Sequence, residues 1–224
     1  MMNMEGLAQN LAAVRARIGR AAEKAGRDPA EILLLAVTKV FPADAIRAAW
    51  ELGLREFGEN YVQEFEGKAP LVSDLSGARF HLIGHLQSNK SARAAELFQV
   101  LQTVDSAKLA RRLDSAGRPL DVMIEVKLSQ EDAKSGVSPQ ELPEVVQAVR
   151  GSKNLRLRGL MTMPPWSEDP EAPRPIFRRL RELAQQHGLT ELSMGMSNDL
   201  ETAIEEGSTC VRVGTALFGK RRRA

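Results

Sequence analysis

The sequence has few residues of several types. Its 224 residues include one cysteine, Cys210, and one tyrosine, Tyr61, and aromatic residues make up only 4%. A lone cysteine excludes an intrachain disulfide and favours a reducing compartment. The apolar flanks of Cys210 in residues 209–213 predict a buried strand position rather than a nucleophile.

Long apolar runs and a strong charge bias are also missing. No window approaches the roughly 18 apolar residues of a membrane span, and the N-terminus carries no signal-like core, so we expect a cytoplasmic protein. The net charge of +2 gives no general attraction to nucleic acid or membrane. The basic run 220–223 is interpreted as a solvated tail, although an anionic ligand or nucleic acid remains open. The three histidines are too scattered to predict a zinc site.

What the sequence does contain is a regular alternation of two patterns. Short apolar runs alternate with stretches whose apolar residues recur at the helical period, such as Leu7, Leu11, Val14 and Ile18. Several strands are apolar on both faces, which is typical of a parallel sheet covered by helices. The predicted strands are 32–40, 56–60, 80–86, 100–104, 121–127, 155–161, 191–194 and 210–214.

Eight strand–helix units predict an α/β fold, a single-domain (β/α)8 TIM barrel over residues 1–224 with an extra N-terminal helix. A doubly wound open sheet is the alternative. Ser138 and Glu141 predict a capping box, with Pro139 at the first helical position. The proline-rich segment 164–175, which contains Trp166, follows the sixth strand and is either a lid or rim loop or an inert connection.

Two strand ends predict a phosphate site, because barrel active sites lie at the carboxyl ends of the strands. Ser197 and Asn198 open a helix after strand seven, and Gly214 and Thr215 precede a short turn after strand eight. Free N–H groups at such junctions attract anions. Plain helix capping by Asn198 and Glu201 is the alternative for the first of them.

Lys39 is the second candidate, since an apolar strand carries it to the barrel mouth. Low-dielectric surroundings lower the pKa of a lysine, and the neutral amine can then form an imine with an aldehyde. A lysine that merely points into solvent is the alternative. Together with a phosphate site across the mouth, Lys39 suggests a phosphorylated aldehyde, of which pyridoxal 5′-phosphate is the commonest cofactor.

Arg212 is the third candidate. It lies on strand eight, and Val211 and Val213 occupy the alternate face. An inward arginine needs an acceptor, which a pyridine nitrogen could supply. A structural ion pair with a carboxylate is the alternative.

Five ordered motifs resemble the pyridoxal 5′-phosphate homeostasis protein family. They are LAVTK (35–39), FGENYVQE (57–64), HLIGHLQSNK (81–90), SMGMSND (193–199) and VRVGTALFG (211–219). The family looks like the barrel domain of alanine racemase without its β-rich second domain. The resemblance implies a cytoplasmic, monomeric carrier that buffers or delivers pyridoxal phosphate without turnover, with apo-enzymes as candidate recipients.

The resemblance also implies roles for individual residues. Lys39 would carry the cofactor as a Schiff base, and Arg212 would approach the ring nitrogen. Lys134 matches a further family lysine associated with cofactor transfer. The remaining cofactor-binding residues are Asn60, Met196, Ser197, Gly214 and Thr215.

A pyridoxal-phosphate-dependent amino-acid racemase is the alternative function. Two-base racemisation needs a second proton carrier on the opposite face of the ring. In the racemases this carrier comes from the domain that the chain lacks and from a partner subunit. Tyr61 belongs to the motif at strand two and is a poor substitute.

Overall fold

The computed structural model describes residues 3–129 and 135–219. Within them, eight parallel strands pair in chain order and β8 pairs with β1, which closes the barrel. The predicted (β/α)8 fold is confirmed, and the open-sheet alternative is wrong. The strands are β1 (Leu33–Val37), β2 (Glu56–Glu59), β3 (Arg79–Leu82), β4 (Val100–Val104), β5 (Leu120–Glu125), β6 (Leu155–Met161), β7 (Glu191–Met196) and β8 (Cys210–Val213).

Helices surround this barrel, and the extra N-terminal helix is present. Over the same described residues they are α1 (Met4–Lys24), α2 (Ala43–Glu51), α3 (Val62–Lys68), α4 (Ser91–Leu97), α5 (Ala107–Asp114), α6 (Leu142–Arg150), α7 (Arg174–Gln186), α8 (Leu200–Glu205) and α9 (Thr215–Phe218). No helix in these ranges has the length and apolar character needed to cross a membrane.

The sequence of strand β1 is apolar on both faces because both faces pack against other residues. Leu35 and Val37 pack inside the barrel with Ile83 and Cys210, whereas Ala36 joins the core between the barrel and its helices. Both faces of the strand are therefore buried, as the continuous apolar run predicts. Cys210 is buried as predicted, and burial raises the pKa of its thiol to about 11.

Strands β1 and β3 fall furthest short of their predicted lengths, because the chain turns out of the sheet. Strand β1 ends at Val37, after which the N–H of Phe41 donates to the carbonyl of Thr38, 3.1 Å away, in a turn. Strand β3 ends at Leu82, the partner of the last residue of β2. The apolar run of the sequence continues beyond the last residue of each strand, so it overestimates the lengths of β1 and β3.

The predicted capping box forms, but the helix begins later than expected. The N–H of Glu141 donates to Ser138 Oγ and the N–H of Ser138 donates to Glu141 Oε2, each over 3.3 Å. Helix α6 nevertheless begins at Leu142. Pro143 has no N–H to continue the ladder from this first turn, which accounts for the later start.

Two predictions fall on residues outside the described ranges. Lys134 lies in 130–134, and the basic run lies in 220–224. Their roles stay predictions.

Candidate functional site

A cavity of about 570 Å³ opens at the carboxyl ends of the strands. It lies where the barrel fold predicts an active site. All seven predicted cofactor-binding residues line it: Lys39, Asn60, Met196, Ser197, Arg212, Gly214 and Thr215. The structure therefore brings the candidates together, while their binding roles remain predictions.

The junctions after β7 and β8 are joined to each other. The N–H of Ala216 donates to Ser197 Oγ over 3.2 Å, which links the two junctions directly. Among the described residues, the N–H groups of Ser197 and Asn198 have no acceptor. Two unpaired N–H donors beside a hydroxyl provide what an anionic oxygen requires.

The side chain of Asp199 fixes the backbone of Met196, the last residue of β7, just before this junction. Its Oδ1 accepts from the N–H of Met196 over 2.6 Å. Burial raises the pKa of the Asp199 carboxyl, and the hydrogen bond from Met196 partly offsets that rise. A polar side chain thus replaces the strand ladder at the point where β7 ends.

The capping alternative for Asn198 and Glu201 is wrong. Asn198 Nδ2 donates to the carbonyl of Ser167, 3.0 Å away, and so ties the junction to the proline-rich loop. Both oxygens of Glu201 accept from Arg17 on α1, over 2.6 and 2.7 Å. Helix α8 has Asp199 at its N-cap, without a side-chain capping bond.

Arg17 also contacts the junction itself, since its Nη1 donates to the carbonyl of Ser197 over 2.9 Å. The extra helix therefore supports the predicted phosphate site from outside the barrel. Sequence reasoning missed this contact, because Arg17 and Ser197 lie 180 residues apart and an arginine on a polar helix face carries no signal of its partner.

The backbone before Lys39 is held by a buried ion pair. Lys68 on α3 donates to the carbonyl of Thr38 over 3.0 Å and to Glu59 over 2.9 Å. Thr38 Oγ1 donates to the same carboxylate over 2.8 Å. Burial raises the pKa of Glu59, and the charge of Lys68 partly offsets that rise.

The backbone after Lys39 is held as well. Val40 has φ +62°, an unfavourable conformation for a β-branched residue. Its N–H donates to Glu64 Oε1 over 2.5 Å, and Lys68 contacts the same oxygen over 2.6 Å. Sequence reasoning missed this network, although a glutamate within a buried strand such as β2 indicates a buried partner.

Arg212 points inward and is 3% exposed. Its Nη1 donates to Ser193 Oγ over 2.7 Å and its Nη2 to the carbonyl of Thr162 over 2.8 Å. Among the ion pairs of the described residues none involves Arg212, so the ion-pair alternative is wrong. Burial lowers the pKa of the guanidinium, and the nearby carboxylates Asp199 and Glu125 partly offset that effect.

Asn60 brings a buried acceptor to the cavity. Its Oδ1 is shielded from solvent and has no hydrogen-bond partner among the described residues. Its backbone is packed closely against the segment that follows β3, since a Cβ built on Gly84 would lie 2.2 Å from the carbonyl oxygen of Asn60. An unpaired buried amide group next to a cavity indicates a missing ligand group.

The proline-rich loop forms part of the cavity rim. Trp166 and Ser167 line the cavity, and Trp166 is 75% exposed. The rim position of the segment is confirmed for Trp166 and Ser167, while a lid function stays a prediction.

The chain resembles known proteins over almost its whole length. Residues 9–222 match the family model described as the N-terminal domain of alanine racemase. A protein of Pseudomonas aeruginosa called pyridoxal phosphate homeostasis protein is 51% identical, over 97% of each chain. A protein of the same name from Escherichia coli is 44% identical, over 97% of this chain and 98% of the other.

Solved structures show the same relationship. PipY from Synechococcus elongatus, solved with pyridoxal phosphate bound, matches with a TM-score of 0.82 and 38% identity, over 95% of this chain and all of PipY. Alanine racemase from Corynebacterium glutamicum matches with a TM-score of 0.69 and 20% identity, over 97% of this chain and 61% of the racemase. The second likeness shows a shared fold alone.

Proposed function

The chain belongs to the family of pyridoxal phosphate homeostasis proteins, and we propose that it carries pyridoxal phosphate as a Schiff base on Lys39. One observation carries the proposal. Lys39, the linked junctions at Ser197 and Thr215, and Arg212 all face one cavity at the catalytic end of the barrel. The cofactor-bound structure of the PipY homologue supports the same ligand.

The donor set fits this ligand. The hydroxyl of Ser197 and the N–H groups of Ser197 and Asn198 suit the phosphate oxygens. Arg212 has five N–H donors, of which two are used among the described residues, and the others would be available to an acceptor such as a ring nitrogen. The amide of Asn60, with its unpaired oxygen, suits a polar substituent of the ring.

When bound, pyridoxal phosphate supplies an aldehyde that a neutral amine can attack. The Lys39 amine condenses with this carbonyl, so that a C=N bond forms and one water molecule leaves. Because the network of Lys68, Glu59 and Glu64 fixes the backbone on both sides of Lys39, the amine is presented to the cavity at little cost in backbone entropy.

We further propose that the protein buffers or delivers the cofactor without turnover, as one pyridoxal-phosphate-binding domain in the cytoplasm. Tyr61, the one tyrosine of the sequence, is 57% exposed and is not among the residues that line the cavity. An arginine beside the ring nitrogen makes a weaker electron sink than a carboxylate does, which by itself does not exclude racemisation. Apo-enzymes are the proposed recipients, and the carrier itself is proposed to be a monomer.

Borohydride reduction followed by peptide mapping tests the Schiff base. Reduction of protein incubated with pyridoxal phosphate should leave a pyridoxyl group on the peptide that contains Lys39, and Lys39→Ala should abolish it. Lys90→Ala is a matched control, because Lys90 follows β3 at the same end of the barrel. A label on another lysine in the wild type would contradict the assignment.

An enantiomer assay separates the carrier from the racemase. Wild-type protein loaded with cofactor should leave L-alanine and other L-amino acids unconverted over hours. Conversion at enzyme-like rates, about 1 s⁻¹ or faster, would establish the racemase alternative instead.

A further inference from the structure

A chain of buried polar side chains crosses the inside of the barrel, starting at Arg212. Arginine can only donate, so its Nη1 donates to Ser193 Oγ over 2.7 Å. The single hydroxyl proton of Ser193 is directed to Gln102 Oε1, 2.6 Å away. The positive charge of Arg212 therefore fixes the direction of both hydrogen bonds.

The chain continues from Gln102 toward the opposite end of the barrel. Its Nε2 lies 3.0 Å from His81 Nδ1, which must accept because Gln102 Oε1 already faces Ser193. His81 then carries its proton on Nε2, which donates to Glu56 Oε2 over 2.5 Å. Only one orientation of the Gln102 amide satisfies both neighbours.

The two central side chains of this polar chain, Ser193 and Gln102, are buried inside the barrel. Gln102 is 1% exposed and Ser193 is fully buried, and both lie at the level of Cys210, whose sulfur is 4.0 Å from Gln102 Nε2. Polar groups at such positions cost stability unless every donor and acceptor is matched. An apolar side chain of similar volume could fill the space of Gln102, so packing alone does not account for a glutamine there.

We propose that Ser193 and Gln102 are positioning residues that fix the Arg212 guanidinium toward the cofactor ring, and that His81 and Glu56 orient Gln102 in turn. The inference rests on the proposed function, since the ring is that of pyridoxal phosphate. The chain ends at a second cavity of about 730 Å³, at the amino ends of the strands, which His81 and Gln102 line. The setting of the guanidinium thus depends on side chains at the opposite end of the barrel.

The test compares four variants of the 224-residue chain. Gln102→Met keeps the volume and removes both hydrogen bonds, whereas Gln102→Glu keeps an acceptor for Ser193. Thr103→Val is the matched control, because Thr103 is the next residue of β4, is also buried, and has a hydroxyl without a partner among the described residues. Ser193→Ala removes the acceptor of Arg212 and serves if Gln102→Met does not fold.

The readouts are pyridoxal phosphate affinity, the wavelength and pH midpoint of the visible band, and crystal structures of the cofactor-free proteins. Gln102→Met should weaken affinity about 3- to 10-fold, shift the pH midpoint, and move Arg212 away from Ser193. Gln102→Glu should recover most of the affinity, and Thr103→Val should match the wild type.

Two results would overturn parts of the account separately. Folded Gln102→Met with wild-type affinity, band and Arg212 position would show that Gln102 is merely structural. A wild-type protein that binds no pyridoxal phosphate would instead refute the proposed function and, with it, the assigned target of the guanidinium.

Discussion

Single residues determine how closely the backbone segments around the site can approach one another. Gly84 is one of them, because a Cβ at this position would lie 2.2 Å from the carbonyl oxygen of Asn60 and 2.8 Å from its Cα. Real Cβ atoms do not come so close to backbone, so Asn60 holds its place at the cavity only while residue 84 lacks a side chain. The motif around Gly84 carried part of the family resemblance, but the steric role of Gly84 depends on the backbone of Asn60, more than 20 positions away, and was not readable from the sequence.

We predict that Gly84→Ala destabilises the fold and weakens cofactor binding. Backbone must shift to relieve the overlap, which costs about 1–3 kcal/mol in free energy of unfolding. Urea unfolding and a pyridoxal phosphate titration measure the two effects. Gly67→Ala is the control, because a Cβ on Gly67 in α3 meets no atom within 4 Å. That substitution should raise stability by up to about 1 kcal/mol, and an equal loss in both variants would contradict the steric explanation.

At the scale of elements, α1 is the part that the barrel pattern alone would not require. It joins α8 and α9 through Arg17 and through Asn10, whose Nδ2 donates to the carbonyl of Leu217 over 2.9 Å. The strands, the helix order and the N-terminal helix were all predictable, because hydrophobic period is a local signal. The contacts between α1 and the junction at Ser197 were not, since pairing across 180 residues leaves no local pattern.

Arg17→Met is predicted to weaken pyridoxal phosphate binding through the junction it supports. The loss of hydrogen bonds to Ser197 and Glu201 should lower affinity about 3- to 10-fold, because charged hydrogen bonds of this kind contribute about 1 kcal/mol or more. Equilibrium titration of the visible band measures it. Arg15→Met, an exposed position on the same helix, should have no effect. Equal affinities of the Arg17 and Arg15 variants would contradict a supporting role for α1.

The acid stability of the rim also belongs to this scale. Glu171 accepts from Arg174 on α7 and from Thr202 on α8, and the hydrogen bonds from Arg174 lower the pKa of Glu171 to about 2. A carboxyl whose pKa is depressed in the folded state stabilises it fully above the unfolded value near 4.5. That contribution is lost as the pH falls toward 2.

Glu171→Gln should therefore flatten the dependence of unfolding free energy on pH between about 4.5 and 2. Urea unfolding at several pH values measures it. Glu168→Gln, in the same loop, is the control, because the Glu168 carboxylate contacts no described residue in the hydrogen-bond or ion-pair network. If the unfolding free energy of Glu171→Gln fell with pH as steeply as that of the control, the proposed link between α7 and α8 through Glu171 would be refuted.

At the scale of the whole molecule, the seven candidate residues come from both ends of the chain and meet at one cavity. Their meeting was predictable, because a closed parallel barrel places every carboxyl strand end at the same rim. The polar chain from Arg212 to Glu56 was not, since which inward polar residues touch depends on strand register and tilt.

Cofactor binding should stabilise the whole fold. Pyridoxal phosphate at 100 times its dissociation constant adds about 2.7 kcal/mol, which corresponds to a rise of several degrees in Tm. In Lys39→Ala, only the part of this rise in Tm that is due to binding of the phosphate group should remain. Pyridoxine 5′-phosphate, which has no aldehyde, should raise the Tm of wild type and variant equally. If pyridoxal phosphate also raised both equally, Lys39 would not bond to it.

The linked junctions have a consequence for biosynthesis. A ribosome synthesises residue 39 long before the segments around Ser197 and Ala216, which follow it by more than 150 positions. Before these segments have been synthesised, the nascent polypeptide contains the Lys39 amine but lacks the two junctions that are proposed to bind the phosphate of the cofactor. On the proposed function, capture of the cofactor is postponed until residues 197–216 have been synthesised, and a product truncated before residue 197 should be released without cofactor.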